Sequence, residues 1–400
     1  MKINTDPQKI EEFLTRGVEN IYPNIDFLRK KLLSGEKQTM YLGIDPTGPI
    51  LHMGTAVVLK KLRDFQNLGH KVILLIGDFT ATIGDPDKLS VRKPLTRKEV
   101  LNNAKNYKKQ ISRFLKFGLG GAEFKYNSKW LGKMNFEDVL NLASKMTVDQ
   151  MLKRDMFQER IKQGRPVYIH EFMYPLMQGY DSIAMNVDGE IGGNDQTFNM
   201  LTGRDLMKEV QNKEKFVVTT KLLVDPNGAK MGKTTGNMVT MKDNPSEMFG
   251  KVMSWTDGVL LLGFELCTDV SLSEIENIKQ EILSGANPRD IKIRLAKEII
   301  TIYHNKEEAD KAEQNFINTF KEGGLPEKID EIVSVNGESL ADISVRAGLV
   351  KSKGEFRRLI LEKAVSNQET GDKINDVNYK VISSTIFKIG KRRFLKVIIK

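Results

Sequence analysis

Between residues 40 and 76 the hydrophobic positions change period twice. Met40-Tyr-Leu-Gly-Ile is a short continuous apolar run followed by the turn cluster Asp45-Pro-Thr-Gly-Pro, which predicts a buried strand running into a loop. Val58, Leu62 and Phe65 then fall at i, i+4 and i+7, so a helix is expected there, stopped by Gly69, and Val72 to Ile76 is a second apolar strand. Strand, helix and strand with unbroken apolar strands predict a βαβ unit in a parallel sheet covered on both faces, with its ligand site at the carboxyl ends of the strands. The loop at 45–55 is therefore a candidate site.

Strand and helix alternate up to Phe216-Val-Val-Thr-Thr-Lys-Leu-Leu-Val, which runs into the turn Asp225-Pro-Asn-Gly. Beyond it the pattern turns helical. Ser271 with Glu274 reads as a capping box before Ile275, Ile278 and Ile282, and Asn287-Pro288 opens a helix with Ile291, Leu295, Ile299 and Ile302 inward. Gly323-Gly324 and Pro326 punctuate its end. The expected architecture is α/β: a Rossmann-like parallel-sheet domain over 1–245, an all-helical domain over 246–330 and a small α+β module over 331–400.

Composition narrows the class. With 40% hydrophobic and 28% charged residues, the 400-residue chain has the mixture of a globular protein of two or three domains. Its longest apolar run is near the length of Val72 to Ile76, far below the ~20 residues of a membrane-spanning helix, and its charged first residues contain no apolar h-region. One cysteine, Cys267, excludes an internal disulfide. His52, His70, His170 and His304 are far apart and lack Cys partners at ligand spacing, so no metal site is assigned. A reduced, cytoplasmic protein is expected. The net charge is +10, and residues 331–400 hold 14 Lys and Arg against 8 Asp and Glu, which concentrates the excess where a polyanion could bind, although a solvated lysine-rich surface gives the same count.

Three segments carry candidate chemistry. Leu51-His-Met-Gly-Thr stands at the start of the predicted helix, where free N–H groups and the helix dipole suit phosphate, Gly54 permits close approach and His52 can donate; a first-turn His is also a common structural cap. Asn227-Gly-Ala-Lys-Met-Gly-Lys-Thr-Thr-Gly-Asn has a phosphate loop's composition. It misses the G-x-x-x-x-G-K-[ST] spacing by one residue, which speaks against a P-loop ATPase and leaves a surface hairpin open. Tyr174, Gln178 and Asp181, at i, i+4 and i+7, put a polar stripe on an otherwise apolar helix. Such groups need a ligand or a structural network as partner.

Taken together these segments resemble the class I aminoacyl-tRNA synthetases, specifically the tyrosyl-tRNA synthetases of bacterial type, over nearly the whole chain. The resemblance rests on Tyr41-Leu-Gly-Ile-Asp-Pro-Thr with Leu51-His-Met-Gly-Thr, Ile83-Gly-Asp-Pro, Tyr174-x-x-x-Gln-x-x-Asp, Gly192-Gly-Asn-Asp-Gln and Lys230-Met-Gly-Lys-Thr. Leu340 to Ile360 is similar to the αL RNA-binding module named after a small-subunit ribosomal protein, with Ser352 and Glu355 as a capping box. The resemblance implies that Tyr41 and Asp181 bind a tyrosine phenol, that Asp85, Tyr174 and Gln178 hold its ammonium, and that Gln196 orients its carboxylate. It further implies an ATP site of Asp45, Gly54, Thr55, Gly193 and Asp195 with Lys233. In it Asp195 takes the ribose, Thr47 and His52 meet the triphosphate, and Lys230, Lys233 and Thr234 meet the leaving pyrophosphate. Thr55 stands where a second histidine is usual, and Leu42 where some members carry a polar side chain. ATP with Mg²⁺ and tRNA(Tyr) are the implied substrates and partners, and a homodimer that binds neither membrane nor DNA is the implied assembly. Arg357, Arg358, Lys391 and Arg392 are the candidate RNA contacts. A tryptophanyl enzyme and a non-catalytic RNA-binding paralogue are the rival readings.

Overall fold

Both apolar runs of the predicted βαβ unit lie at the centre of a six-stranded sheet. The computed structural model describes residues 2–85, 95–224, 238–320, 329–390 and 393–400. Its first sheet comprises β1 (Val18–Tyr22), β2 (Thr39–Ile44), β3 (Lys71–Ile76), β4 (Glu123–Tyr126), β5 (Gly189–Gly193) and β6 (Phe216–Thr220), in the order β1-β6-β5-β2-β3-β4. All neighbours are parallel except β1, which runs antiparallel to β6. Residues 72–76 and the whole of β6 are buried, as strands covered on both faces must be. The intervening helix, Met53–Asn67, buries Val58, Leu62 and Phe65 and ends before Gly69, whose φ of 92° suits glycine.

The chain divides into two compact units, Met1–Ala309 and Asp310–Lys400. Among the described residues, the elements from 245 to 320 are helical, as expected. Those up to Tyr303 nevertheless share the first unit with the sheet: Leu260–Cys267 packs on Met53–Asn67, and the Tyr303 hydroxyl lies 3.2 Å from Met53 Sδ. In Pro288–Tyr303, Ile291, Leu295 and Ile299 are buried as predicted, whereas Ile302 is half-buried and Ile300 faces inward.

The second unit holds a mixed sheet of β7 (Asp330–Ser334), β9 (Val365–Asn367), β11 (Thr385–Ile389) and β12 (Arg393–Ile399), in the order β7-β12-β11-β9, and a small ribbon of β8 (Glu338–Ser339) with β10 (Lys380–Val381). Helices Leu340–Arg346 and Lys353–Leu361 cover it over a core that includes Ile343, Phe356, Phe387 and Leu395. Both predicted capping boxes are half-formed. Ser271 and Ser352 accept from the Glu274 and Glu355 N–H groups, but Glu274 spends its carboxylate on Arg294 and Asn277, and Glu355 spends its own on the Lys351 N–H and Arg393.

Candidate active site

The sheet changes direction of growth at β2, with β3 on one side and β5 on the other, and the candidate residues gather at the carboxyl ends of these strands. Asp45 follows β2. Gly77, the short helix Thr80–Ile83 and Asp85 follow β3, and the turn Asn194–Gln196 follows β5. Across them lies the helix Ile169–Met185, presenting Tyr174, Gln178 and Asp181 on one face; Tyr174 and Asp181 are buried.

Asp45 is fixed from two sides, accepting from the Thr80 hydroxyl at 2.7 Å and from the Tyr174 hydroxyl at 2.8 Å. Gly77 makes this possible, because a Cβ there would lie 1.9 Å from Asp45 Oδ1 and 2.4 Å from Thr80 Oγ1. The loop beyond Asp45 is held by its backbone: Asn103 donates to the Pro46 carbonyl, Tyr107 to that of Gly48, and Gln110 both donates to Pro49 and accepts from the Leu51 N–H.

Asp181 accepts from Trp130 Nε1 at 2.7 Å and from Asn127 Nδ2 at 3.3 Å, one on each carboxylate oxygen. Burial pushes its carboxyl well above the usual carboxylate range, against the lowering by these two donors. Its chain neighbour Ser182 shares a 3.0 Å hydrogen bond with the hydroxyl of the fully buried Tyr41. Burial, and then the Glu190 and Asp181 carboxylates, raise the Tyr41 phenol above its ordinary value and keep it protonated. Tyr174 is raised likewise, by burial and then by Asp45 and Asp85.

Asp85 accepts from Arg154 at 2.8 Å and Gln196 at 2.9 Å, and lies 3.5 Å from Asn199. The three residues expected around an ammonium are thus close in space without bonding one another: Tyr174 donates to Asp45, Asp85 takes Arg154 and Gln196, and Gln178 donates to Glu190 at 2.9 Å. Arg154 Nη1 and Asn199 Oδ1 are buried and have no partner among the described residues.

His52 is the N-cap of Met53–Asn67 but makes no side-chain cap bond, and Gly54 leaves room for its ring, since a Cβ would sit 3.1 Å from it. Thr47 and His52 are exposed, Thr55 is half-buried, and Leu42 belongs to the core. Gly193 has a comparable function beside Asp195, whose Oδ1 would be 2.5 Å from a Cβ. Lys230, Lys233, Thr234, Lys391 and Arg392 lie outside the described residues. The backbone just past the glycine-rich segment is described, and it pairs with the first motif through Met53 N–H to Val239 O and Met241 N–H to Leu51 O, both at 2.9 Å. Val239 and Met241 therefore lie alongside the first signature segment. Among the described residues no three His, Cys, Asp or Glu side chains are grouped to hold a metal ion.

Sequence reasoning missed Thr80, Asn127, Trp130, Arg154, Ser182, Glu190 and Lys215. Ser182 and Glu190 each stand beside a quoted motif, and Lys215 stands immediately before the apolar strand run that starts at Phe216. Nothing in the local pattern around 127–154 signals that those side chains turn inward.

A family model for class I tRNA synthetases (W and Y) matches residues 33–321. A tyrosine–tRNA ligase of Carboxydothermus hydrogenoformans is 46% identical over 97% of both chains, and one of Haemophilus ducreyi is 44% identical over 98% of this chain and all of its own. Among solved structures, a truncated mitochondrial tyrosyl-tRNA synthetase of Aspergillus nidulans matches 78% of this chain and 98% of its own at a TM-score of 0.65 and 22% identity. A tyrosyl-tRNA synthetase of Archaeoglobus fulgidus, complexed with L-tyrosine, matches 77% of this chain and all of its own at 0.60 and 22%. Both likenesses concern the fold.

Proposed function

The chain belongs to the class I tRNA synthetases and is a tyrosine–tRNA ligase, and we propose that the pocket between β2, β5 and the Ile169–Met185 helix is where it selects and activates tyrosine. The observation that carries the proposal is the pairing of Tyr41 and Asp181: a protonated phenol on β2 bonded to Ser182, and, on the residue before Ser182 in the helix, a carboxylate fixed by two donors. A substrate para-hydroxyl finds a donor in the first and an acceptor in the second. At its other end, Tyr174 and Gln178 supply acceptor oxygens, and Asp45 and Asp85 the negative charge, that an ammonium requires. Gln196 orients the carboxylate.

The carboxylate attacks the ATP α-phosphorus; the bond to the bridging oxygen breaks and pyrophosphate leaves. The terminal ribose hydroxyl of tRNA then attacks the tyrosyl carbonyl and expels AMP. No protein nucleophile takes part, so the protein's contribution is positioning and charge stabilisation. Thr47, in the loop after β2, and His52, at the start of the helix, donate to the triphosphate, while Asp195 meets the ribose beside Gly193. Lys230, Lys233 and Thr234 meet the leaving pyrophosphate. Mg²⁺ bound with the triphosphate would supply charge neutralisation there.

The α+β unit with exposed Arg357 and Arg358 is the proposed tRNA-binding module. A homodimer is the proposed assembly, supported by the exposure of Phe136, Leu140, Val148, Ile161 and Ile169 within one stretch of chain. Pyrophosphate exchange into ATP, run with each of the twenty amino acids, tests the proposal. Tyrosine alone is expected to support it, and exchange with another amino acid in its place overturns it.

A further inference from the structure

Lys215 and Glu190 form an ion pair under the pocket, Nζ to Oε2 at 2.5 Å, with side chains 0% and 2% exposed. Nζ also lies 2.9 Å from Ser182 Oγ, and Glu190 Oε1 accepts from Gln178 Nε2 at 2.9 Å. Close approach of two helices makes room for the ammonium. A Cβ on Gly203 would lie 2.7 Å from Lys215 Nζ and 3.2 Å from Gly179 Cα. Burying two charges is costly, and apolar residues of similar volume commonly serve stability as well.

The chain of bonds has a direction. An ammonium only donates, so Ser182 Oγ accepts from Lys215, and its own hydrogen is left for the one other neighbour of that oxygen among the described residues, the Tyr41 hydroxyl. Tyr41 then accepts from Ser182 and keeps its hydrogen for another acceptor; of those near it in the protein itself, the Gln178 carbonyl is a long 3.5 Å away and the Glu190 carboxylate is already engaged by Lys215 and Gln178. Glu190, in the same way, takes the Gln178 amide N–H and leaves the amide oxygen as an acceptor.

We propose that Lys215 is a positioning residue for tyrosine selection. Acting through Ser182, it commits Tyr41 to donate to the substrate's para-hydroxyl, while its partner Glu190 commits Gln178 to accept from the substrate's ammonium. This rests on the reading that Tyr41 and Asp181 receive the phenol.

The test compares kcat/KM for tyrosine and for phenylalanine in pyrophosphate exchange. In Lys215→Met the tyrosine value is expected to fall tenfold or more with that for phenylalanine little changed. Combined with Tyr41→Phe, the two effects on discrimination are expected not to add. Ser182→Ala, which cuts the relay at its middle, is expected to narrow discrimination in the same way. The double variant E190Q/K215M leaves no unpaired buried charge, and it serves where Lys215→Met does not fold. Equal losses for tyrosine and phenylalanine, or unchanged discrimination in Ser182→Ala, overturn the proposal and leave the phenol pair standing if Tyr41→Phe narrows discrimination. Unchanged discrimination in Tyr41→Phe itself overturns the pocket reading and this proposal with it.

Discussion

Tyr174 donates its phenolic hydrogen to Asp45 at 2.8 Å, tying the polar stripe of the Ile169–Met185 helix to the first residue beyond β2. Because Asp45 also accepts from Thr80, three segments distant in sequence meet on one carboxylate. The space for it comes from Gly77. In Gly77→Ala the new Cβ would overlap Asp45 Oδ1 and Thr80 Oγ1, and the carboxylate must turn away. A misplacement on the scale of 1 Å costs about 100-fold in rate, so adenylate formation is expected to slow by about that factor. Rapid-quench measurement with the circular dichroism spectrum as a control checks it, and an unchanged rate would show that Asp45 placement is immaterial to the chemistry.

Tyr41→Phe and Asp181→Ala are each expected to narrow the preference for tyrosine over phenylalanine. A site that hydrogen-bonds a buried hydroxyl is left with unpaired groups when the hydroxyl is missing, at about 1–3 kcal/mol per group. Removing Tyr41's hydroxyl or Asp181's carboxylate removes that penalty for phenylalanine and the bond for tyrosine. Competitive exchange assays read the ratio directly. A ratio untouched in both variants would remove these residues from the phenol contact.

Lys233→Ala is expected to lower the rate of adenylate formation by orders of magnitude and to leave tyrosine affinity nearly unchanged. The described backbone at Val239–Met241 pairs with Leu51 and Met53 on either side of His52, the residue proposed to meet the triphosphate. A residue acting mainly in the transition state changes kcat rather than substrate dissociation. Active-site titration and tyrosine binding separate the two. A large rise in the tyrosine dissociation constant with normal chemistry would contradict the assignment.

His70 carries a pH dependence unrelated to catalysis. Its Nδ1 accepts from the Gln38 N–H at 3.3 Å and its ring stacks on Phe65, so the native fold holds it neutral, and burial lowers its pKa from 6.5 to about 4. The unfolded chain takes up the proton first on acidification. Stability is therefore fully present above pH 6.5 and is lost as pH falls towards 4. Urea midpoints measured across this window should decline less steeply in His70→Gln than in the parent, whereas identical slopes would show that His70 does not contribute.

The βαβ unit was legible because its apolar periods are uninterrupted and its turn residues are specific, and the stripe at 174, 178 and 181 was legible because three polar residues recur at helical spacing. The capping boxes were legible only in half. Ser271 and Ser352 cap locally, but their glutamates answer to Arg294 and Arg393, which lie 20 and 38 residues further along. Asn127, Trp130 and Arg154 escaped for the same reason. Each is defined by a tertiary partner, Asp181 or Asp85, and no local pattern encodes that.

The basic tail offers the test that separates adenylate chemistry from tRNA binding. Every residue assigned to the adenylate site precedes Gly236, so a chain ending at Glu331 should retain tyrosine-dependent pyrophosphate exchange. Charging of tRNA should weaken sharply. Many of the tail's cations are already engaged: Arg346 with Glu338, Arg393 with Glu355, Lys396 with Glu331 and Lys353 with Asp342. Arg357 is exposed, and its exposed neighbour Arg358 is only 3.7 Å from Glu362, a surface pair that costs little to break. Each cation that meets a phosphate steepens the salt dependence of binding by roughly one unit of log K per log salt. The full-length protein should therefore show a steeper dependence than the shortened one, and Arg357→Ala with Arg358→Ala should recover about two units of the difference. If truncation left both charging and the salt slope unchanged while the remaining protein stayed folded, the tail's lysines and arginines would be facing solvent and the tRNA contact would lie elsewhere.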